Sequence, residues 1–431
     1  MKKFLALLLA VVMVFSMAAL VGCGKDTPDD SKDGSDKVSD SAKTDGKKVK
    51  IGFIFLHDEN STYDKNFLDA AQAACEATGA EIVMKKNVPE NSAAYEAASD
   101  LADAGCSAVF ADSFGHESFM LQAAKEYPDV QFCHATGTTA HTEKVANFHN
   151  AFASIYEGRY LAGIAAGMKL NAMIEAGDIK AEEAKMGYVG AFTYAEVVSG
   201  YTSFYLGAKS VCPTVTMDVT FTGSWYDETL EKEGAVKLIQ GGCKLISQHA
   251  DSLGAPTACE KAGVPNVSYN GSTVSTCPNT YIISSRINWA PYYEMCIKAV
   301  MDGTEIPADW TGTLATNSVV LSDLNTAVAA EGTAEAIAAA TEKLEKGELH
   351  VFDCSTFTTK VDDKVNTFKA DYLKLDEAGH ITSYMADVDT DQAYTGDTEV
   401  VHDGYFSESE FRSAPYFDLQ IDGINLLDTK M

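Results

Sequence analysis

Positive charge is scarce in this chain: 33 Lys+Arg stand against 62 Asp+Glu, and the formal net charge is −29. Proteins that hold nucleic acid carry a basic stripe or a high pI, and neither is present. Attachment to anionic lipid through a basic patch is disfavoured for the same reason. Metal-finger spacing is missing as well. None of the ten cysteines forms a CxxC pair, and no His or Cys sits at the interval a zinc site requires. There is no GxSxG elbow, no HExxH, no GxxxxGK[ST], and no GxGxxG after the first predicted strand. His57, His116, His134, His141, His249 and His402 are scattered singly, as polar loop or strand-end residues are. The chain therefore reads as a protein without catalysis, cofactor or metal.

What is present is 431 residues, 46% of them hydrophobic and 22% charged. That composition excludes a disordered polymer and a small disulfide-stapled domain. One core rarely grows past about 250–300 residues, so two lobes are expected.

The chain has one long apolar run. Lys2 and Lys3 precede residues 4–20, interrupted only by Ser16, and Leu20-Val21-Gly22-Cys23 follows. A charged start, an apolar centre and small residues at the cut describe an export signal. Its ending resembles a lipobox, in which the cysteine is acylated and becomes the first mature residue. Residues 1–22 are thus expected to be removed, with Cys23 lipidated. The alternative is an uncleaved anchor, and both place the body on the extracytoplasmic face of the cell membrane. Between Cys23 and Lys48 the only large apolar residue is Val38. Such a segment cannot bury enough surface to offset its ordering entropy, so 23–48 is a flexible tether. The other nine cysteines are odd in number, so at least one thiol stays unpaired in a monomer. Most sit in apolar stretches, which predicts a largely reduced core and leaves one or two bridges open.

From residue 49 the pattern alternates. Strands are predicted at 49–56, 81–85, 108–112 and 130–134, with helices at 64–78, 92–104 and 117–127 between and after them. The rhythm restarts with a helix at 156–173. Strands follow at 185–191, 216–222, 244–248, 266–269 and 281–286, with helices at 195–211, 228–240, 255–262 and 289–301. This is an α/β chain of two doubly wound lobes, each a largely parallel sheet covered by helices. A helix at 326–346 and a strand at 349–352 are predicted beyond it. The last 71 residues hold 16 acids against 5 bases, yet carry enough aromatic and aliphatic residues to pack on the body. Asp387-Val388-Asp389-Thr390-Asp391 looks like the start of a calcium loop. Gln392 and Thr398 stand where its glycine and final glutamate would be, so a solvated acidic turn is expected.

Polar and aromatic residues cluster where strands end, the edge at which such sheets bind ligands. They include Tyr63 and Phe67; Ser113 and Phe114; Phe192 and Tyr194; Trp225 and Asp227; His249, Asp251 and Ser252; and Asn270. Rings supply flat apolar area, while amides, hydroxyls and carboxylates fix orientation. Helix capping and packing are the competing explanation for each.

These segments resemble the basic membrane protein (BMP) family, purine-nucleoside-receptor-like lipoproteins that serve ABC transporters as substrate-binding components. The resemblance runs in order from residue 49 to 353. Arg159-Tyr160-Leu161-Ala162-Gly163 and Ser224-Trp225-Tyr226-Asp227 are its most specific parts. It implies a type I periplasmic-binding-protein fold with a three-crossing hinge at 146–152, 283–288 and 319–325. The lobes would comprise 49–148 plus 288–320 and 149–287 plus 321–360, with 361–431 as an acidic C-terminal extension. It further implies a purine nucleoside or nucleobase clamped between the lobes, permease and ATPase partners, and lobe closure over the ligand. Phe67 or Tyr63 would stack on one face of the base and Trp225 on the other, with Ser113, Phe114, Tyr194, Asp227, His249, Asp251, Asn270 and Trp289 around them. Family members carry two aspartates where this chain has Asn270-Gly271-Ser272, and a lysine where it has Asn288. That difference weakens ribose recognition and favours a flat nucleobase. A sugar receptor of the same fold and a cell-surface nucleoside hydrolase are the alternatives. The acidity of the body suits a neutral or weakly basic ligand.

Overall fold

The computed structural model describes residues 48–388 and 398–430. The export signal, Cys23 and the tether lie outside these residues, as does the acidic turn from Asp389 onward. Within the body the predicted alternation is present. The first lobe is built from β1 (Lys50–Ile54), α1 (Thr62–Thr78), β2 (Glu81–Lys85), α2 (Ser92–Asp103), β3 (Ala108–Ala111), α3 (Glu117–Glu126), β4 (Gln131–Ala135), the single turn α4 (Ala140–Glu143) and β5 (Phe148–Ala153). The second lobe follows with α5 (Ile155–Ala176), β6 (Lys185–Gly190), α6 (Ala195–Val211), β7 (Thr216–Phe221), α7 (Glu228–Gln240), β8 (Leu245–Gln248), α8 (Gly254–Ala262), β9 (Asn266–Tyr269) and β10 (Tyr281–Ile287). The chain then returns to the first lobe for α9 (Ala290–Asp302) and β11 (Asp309–Gly312), and crosses back at β12 (Val319–Leu321) and α10 (Thr333–Glu345). Five short strands complete it: β13 (Leu373–Leu375), β14 (Ile381–Ala386), β15 (Thr398–Glu399), β16 (Val401–His402) and β17 (Tyr405–Phe406), before β18 (Ile424–Leu426).

The first sheet has strand order β11-β5-β4-β3-β1-β2, and every pairing in it is parallel. The second has order β12-β10-β9-β8-β6-β7-β18, parallel except where β12 meets β10. In each sheet the order reverses beside the first strand, between β1 and β3 and between β6 and β8. The loops leaving those strands part there and open a crevice. The two crevices face one cleft.

The chain passes between sheets at Ser154, at 288–289 and within 313–318. Strand β5 was expected to be a crossing, yet it pairs with β4 and β11 along its whole length. Its apolar residues Phe148, Ala151 and Phe152 are fully buried. Two local expectations also change. Gly332, at φ 78, delays the helix expected from 326 until Thr333. Residues 349–352 are not a strand; Phe352 turns inward and stacks on Phe417 at 4.4 Å.

Helix α5 opens the second lobe and is buried along most of its length. It runs so close to α6 that a Cβ on Gly163 would lie 2.1 Å from the Phe204 carbonyl oxygen. On the other side, a Cβ on Gly207 would lie 2.0 Å from that of Tyr160. The C-terminal residues, expected as an extension packed on the body, enter the second lobe itself. Phe406, Tyr416, Phe417, Leu419 and Ile424 join its core, and β18 pairs with β7. All nine cysteines among the described residues are free and buried. Burial pushes the Cys75 thiol up to about 11 and that of Cys243 to about 12, and buried thiols of this kind behave as small hydrophobes.

Candidate functional site

The two switch-point crevices enclose one narrow cavity, with about 20 Å³ of free space. Leu56, Tyr63, Ser113, Phe114 and Thr136 line it from the first lobe, and Glu196, Trp225, His249, Asp251 and Tyr269 from the second.

On the first-lobe side, backbone ends of β1 and β3 are tied by one buried acid. The Leu56 N–H donates to Asp112 Oδ1 at 3.1 Å, and Tyr63 donates its hydroxyl to the Asp112 carbonyl at 2.7 Å. Ser113 and the Gly115 N–H both donate to Glu90 Oε1, at 2.6 and 2.7 Å, which fixes the turn that presents Phe114. Burial holds the Asp112 carboxyl well above the usual range, and the neighbouring Asp64 charge adds to the effect. Both effects favour its neutral form. Thr136 is held at φ +67, a conformation costly for a β-branched residue, with its buried hydroxyl unpartnered. Glu117 sustains it: one of its oxygens accepts from the Thr138 and Thr139 N–H groups, the Thr139 hydroxyl and Asn150.

On the second-lobe side the aromatic wall is continuous. Phe192 stacks on Tyr194 at 5.1 Å, Trp225 meets Phe192 edge-on at 5.1 Å, and Tyr194 stacks on Phe114 across the cleft at 5.3 Å. The turns bearing Trp225 and Asp251 are bracketed by the fully buried Glu231. Its carboxylate accepts from the Asp227 and Ser252 N–H groups, and the Asp251 N–H donates to the Trp225 carbonyl.

The polar floor rests on Arg159. Its guanidinium lies 3.2 Å above the centre of the Tyr269 ring, a close cation–π contact. It donates to the Gln248 carbonyl at 3.1 Å and to His249 Nδ1 at 2.9 Å. Because arginine only donates, His249 Nδ1 must accept, and Nε2–H then donates to Glu196 at 3.0 Å. Burial holds the imidazole below its usual pKa, consistent with that neutral tautomer. Burial likewise raises Asp251 well above the carboxylate range. The floor presents Glu196, His249 and Asp251 to a ligand, with Arg159 held behind them.

The lobes are closed on each other. Thr62 donates its N–H and its hydroxyl to the Asp251 carbonyl, and Asn66 donates to Asn270. Tyr63, Ser113, Phe114, Trp225, His249 and Asp251 thus converge on one cavity, with Tyr194 at its rim. The other predicted residues do not reach it. Phe67 and Trp289 stack on each other at 4.5 Å inside the first-lobe core, because one helical turn separates Phe67 from the cleft end of α1. Asp227 is the N-cap of α7. Asn270 lines a separate groove beside α1, at φ 64. Leu56, Thr136 and Glu196 were not foreseen, although Leu56 and Thr136 stand just past a strand's end, where the others were found. Arg159 lay in a recognised motif without an assigned task.

Burial pushes the Glu231 carboxyl up to about 7, from an ordinary 4.5. An acid raised on folding contributes stability fully below its unfolded pKa and loses it as pH rises through the folded one. Glu231→Gln should remove that loss. Urea midpoints at about pH 5 and about pH 8 should therefore fall less between the two conditions in the variant than in the parent. An equal fall in both would show that Glu231 is not the group titrating.

The chain matches the family model of PnrA-like ABC transporter substrate-binding proteins over residues 51–351. A purine-binding protein of Brucella abortus is 34% identical over 263 residues, 60% of this chain and 70% of that protein. A protein described as a candidate ABC transporter glucose-binding protein of Haloferax volcanii is 33% identical over 256 residues, 59% of this chain and 61% of its own length. An ABC transporter solute-binding protein of Aeropyrum pernix superposes with a TM-score of 0.60 at 19% identity, covering 73% of this chain and 94% of that one. That last likeness concerns the fold alone.

Proposed function

This chain belongs to the PnrA-like family of ABC transporter substrate-binding proteins, and from that premise we propose that its cleft captures a purine nucleobase or nucleoside. Membership makes it an extracytoplasmic solute-binding protein of an ABC importer, not an enzyme, whose ligand is a small organic molecule. The observation that carries the finer reading is the cavity itself. Aromatic rings form its upper wall, and Glu196, His249 and Asp251 form a polar floor. A flat heterocycle edged with N–H groups matches both surfaces, and an anion matches neither. The closed cleft holds only about 20 Å³ of free space, so a ligand enters only when the lobes part. Lobe opening about the three crossings would admit it, and closure would present the loaded form to a permease and its ATPase. Acylated Cys23 would keep the body, acting as a monomer, at the membrane. Asn288, aligned with the family's lysine, is occupied by the hinge: it donates to the Asn317 carbonyl at 2.9 Å. That favours nucleobase over nucleoside.

A monosaccharide is the second reading, favoured by the relative described as glucose-binding. Thermal melting of the purified full-length protein separates the two. A ligand at 100 times its Kd stabilises by about 2.7 kcal/mol. Adenine, hypoxanthine or their nucleosides should raise the Tm while glucose and galactose do not; the reverse pattern would overturn the purine reading.

A further inference from the structure

The family match stops at residue 351, yet the end of the chain returns to the candidate cavity. Strand β18 adds to the edge of the second sheet, and the residues after it run on along the carboxyl end of β7. Asp428 anchors them there: its carboxylate accepts from the Phe221 N–H at 2.7 Å, the Thr220 hydroxyl at 2.6 Å and Lys237 at 3.0 Å. Two residues later the backbone of Lys430 meets Thr193 in a reciprocal pair. The Thr193 N–H donates to the Lys430 carbonyl at 2.7 Å, and the Lys430 N–H donates to Thr193 Oγ1 at 2.9 Å. Thr193 lies between Phe192 and Tyr194, the rings that back Trp225 and cap Phe114.

We propose that the segment from Asp428 to Lys430 is a positioning strap for the ligand site, holding the Phe192 and Tyr194 rings in place through Thr193. The proposal rests on the assignment of the cavity as the ligand site. Loops at strand ends are the mobile parts of such folds, and the 192–194 loop is only half-buried. Two hydrogen bonds, one from the Thr193 N–H and one to its hydroxyl, tie it to a segment itself anchored on β7 and remove that freedom before the ligand arrives. Preorganisation of this kind slows ligand escape more than it speeds capture. The contact uses the backbone of residue 430, so the identity of its side chain should matter little.

That asymmetry supplies the test. In full-length protein, Lys430→Pro removes the N–H that Thr193 accepts, Lys430→Ala keeps it, and Thr193→Val removes the acceptor. With adenine, adenosine and glucose as probes, Lys430→Pro and Thr193→Val should each weaken binding about tenfold, mostly as faster dissociation. Lys430→Ala should stay close to the parent, and the Tm of all three unliganded variants should be nearly unchanged. Acrylamide quenching of tryptophan fluorescence reads the wall without a ligand: it should rise in Lys430→Pro and Thr193→Val but not in Lys430→Ala. Unchanged dissociation and quenching in Lys430→Pro would sink the strap. Should the parent bind none of the three probes, the ligand reading fails while quenching still decides the strap. Should Trp225→Ala lose binding while Lys430→Pro keeps it, the strap alone fails.

Discussion

Replacing Trp225 by alanine is expected to abolish the thermal response to purines while leaving the unliganded protein folded. The ring is only half-buried, and it packs on Phe192 and Tyr194 rather than in the centre of the second-lobe core. Its removal takes away the largest flat surface facing the cavity. A base stacked on an aromatic side chain typically owes about 1–3 kcal/mol to that contact, and a central ring in a desolvated site lies at the upper end. The corresponding loss is roughly 30- to 150-fold in Kd at about 2–3 kcal/mol. Titration calorimetry against the tightest-binding purine measures it directly. Affinity within about twofold of the parent would remove Trp225 from the site.

Valine at Gly207 is expected to disrupt the second lobe before any ligand is involved. A Cβ at that position would lie 2.0 Å from the Tyr160 carbonyl oxygen, and the atom it meets is backbone, which has no rotamer to escape into. Helices α5 and α6 would have to separate, opening the most extensively buried contact of the lobe. Overpacking costs typically about 1–3 kcal/mol where side chains can yield; against backbone, about 4 kcal/mol is expected. Alanine should already be harmful, and valine worse. The urea midpoint is the readout, and a midpoint equal to the parent's would mean that the helices separate at no cost. Because α5 carries Arg159, a partly folded variant should also misplace His249 and lose ligand.

Most of the secondary structure was legible because apolar periodicity reports which face of an element is buried. The strand-end rule then located Ser113, Phe114, Trp225, His249 and Asp251 without any knowledge of pairing. It failed where direction around a helix decides the outcome. Tyr63 and Phe67 share one face of α1, a single turn apart, and only the sheet's position says that Tyr63 reaches the cleft while Phe67 is buried on Trp289. It failed also where the partner is remote in sequence. Nothing near Arg159 announces Tyr269, and nothing near Glu196 announces His249. Strand β5 looked like a connection because its pairing with β11 depends on residues contributed after the second lobe. Asp227 shows the ambiguity of polar residues after a strand: the same carboxylate that could hold a ligand holds the N–H groups of Thr229 and Leu230 instead.

The pairing of β18 with β7 has a consequence for the order of events as the protein is made. Phe221 and Asp428, which bond to each other, are 207 residues apart. At about 5–20 residues per second, roughly ten to forty seconds of synthesis separate the two. Until β18 leaves the ribosome, the outer edge of β7 has no partner and the core beside it is unfinished. Closing so long a loop is slow as well. A nascent chain of this kind cannot complete its second lobe early, so it stays open and threadable until β18 has been made.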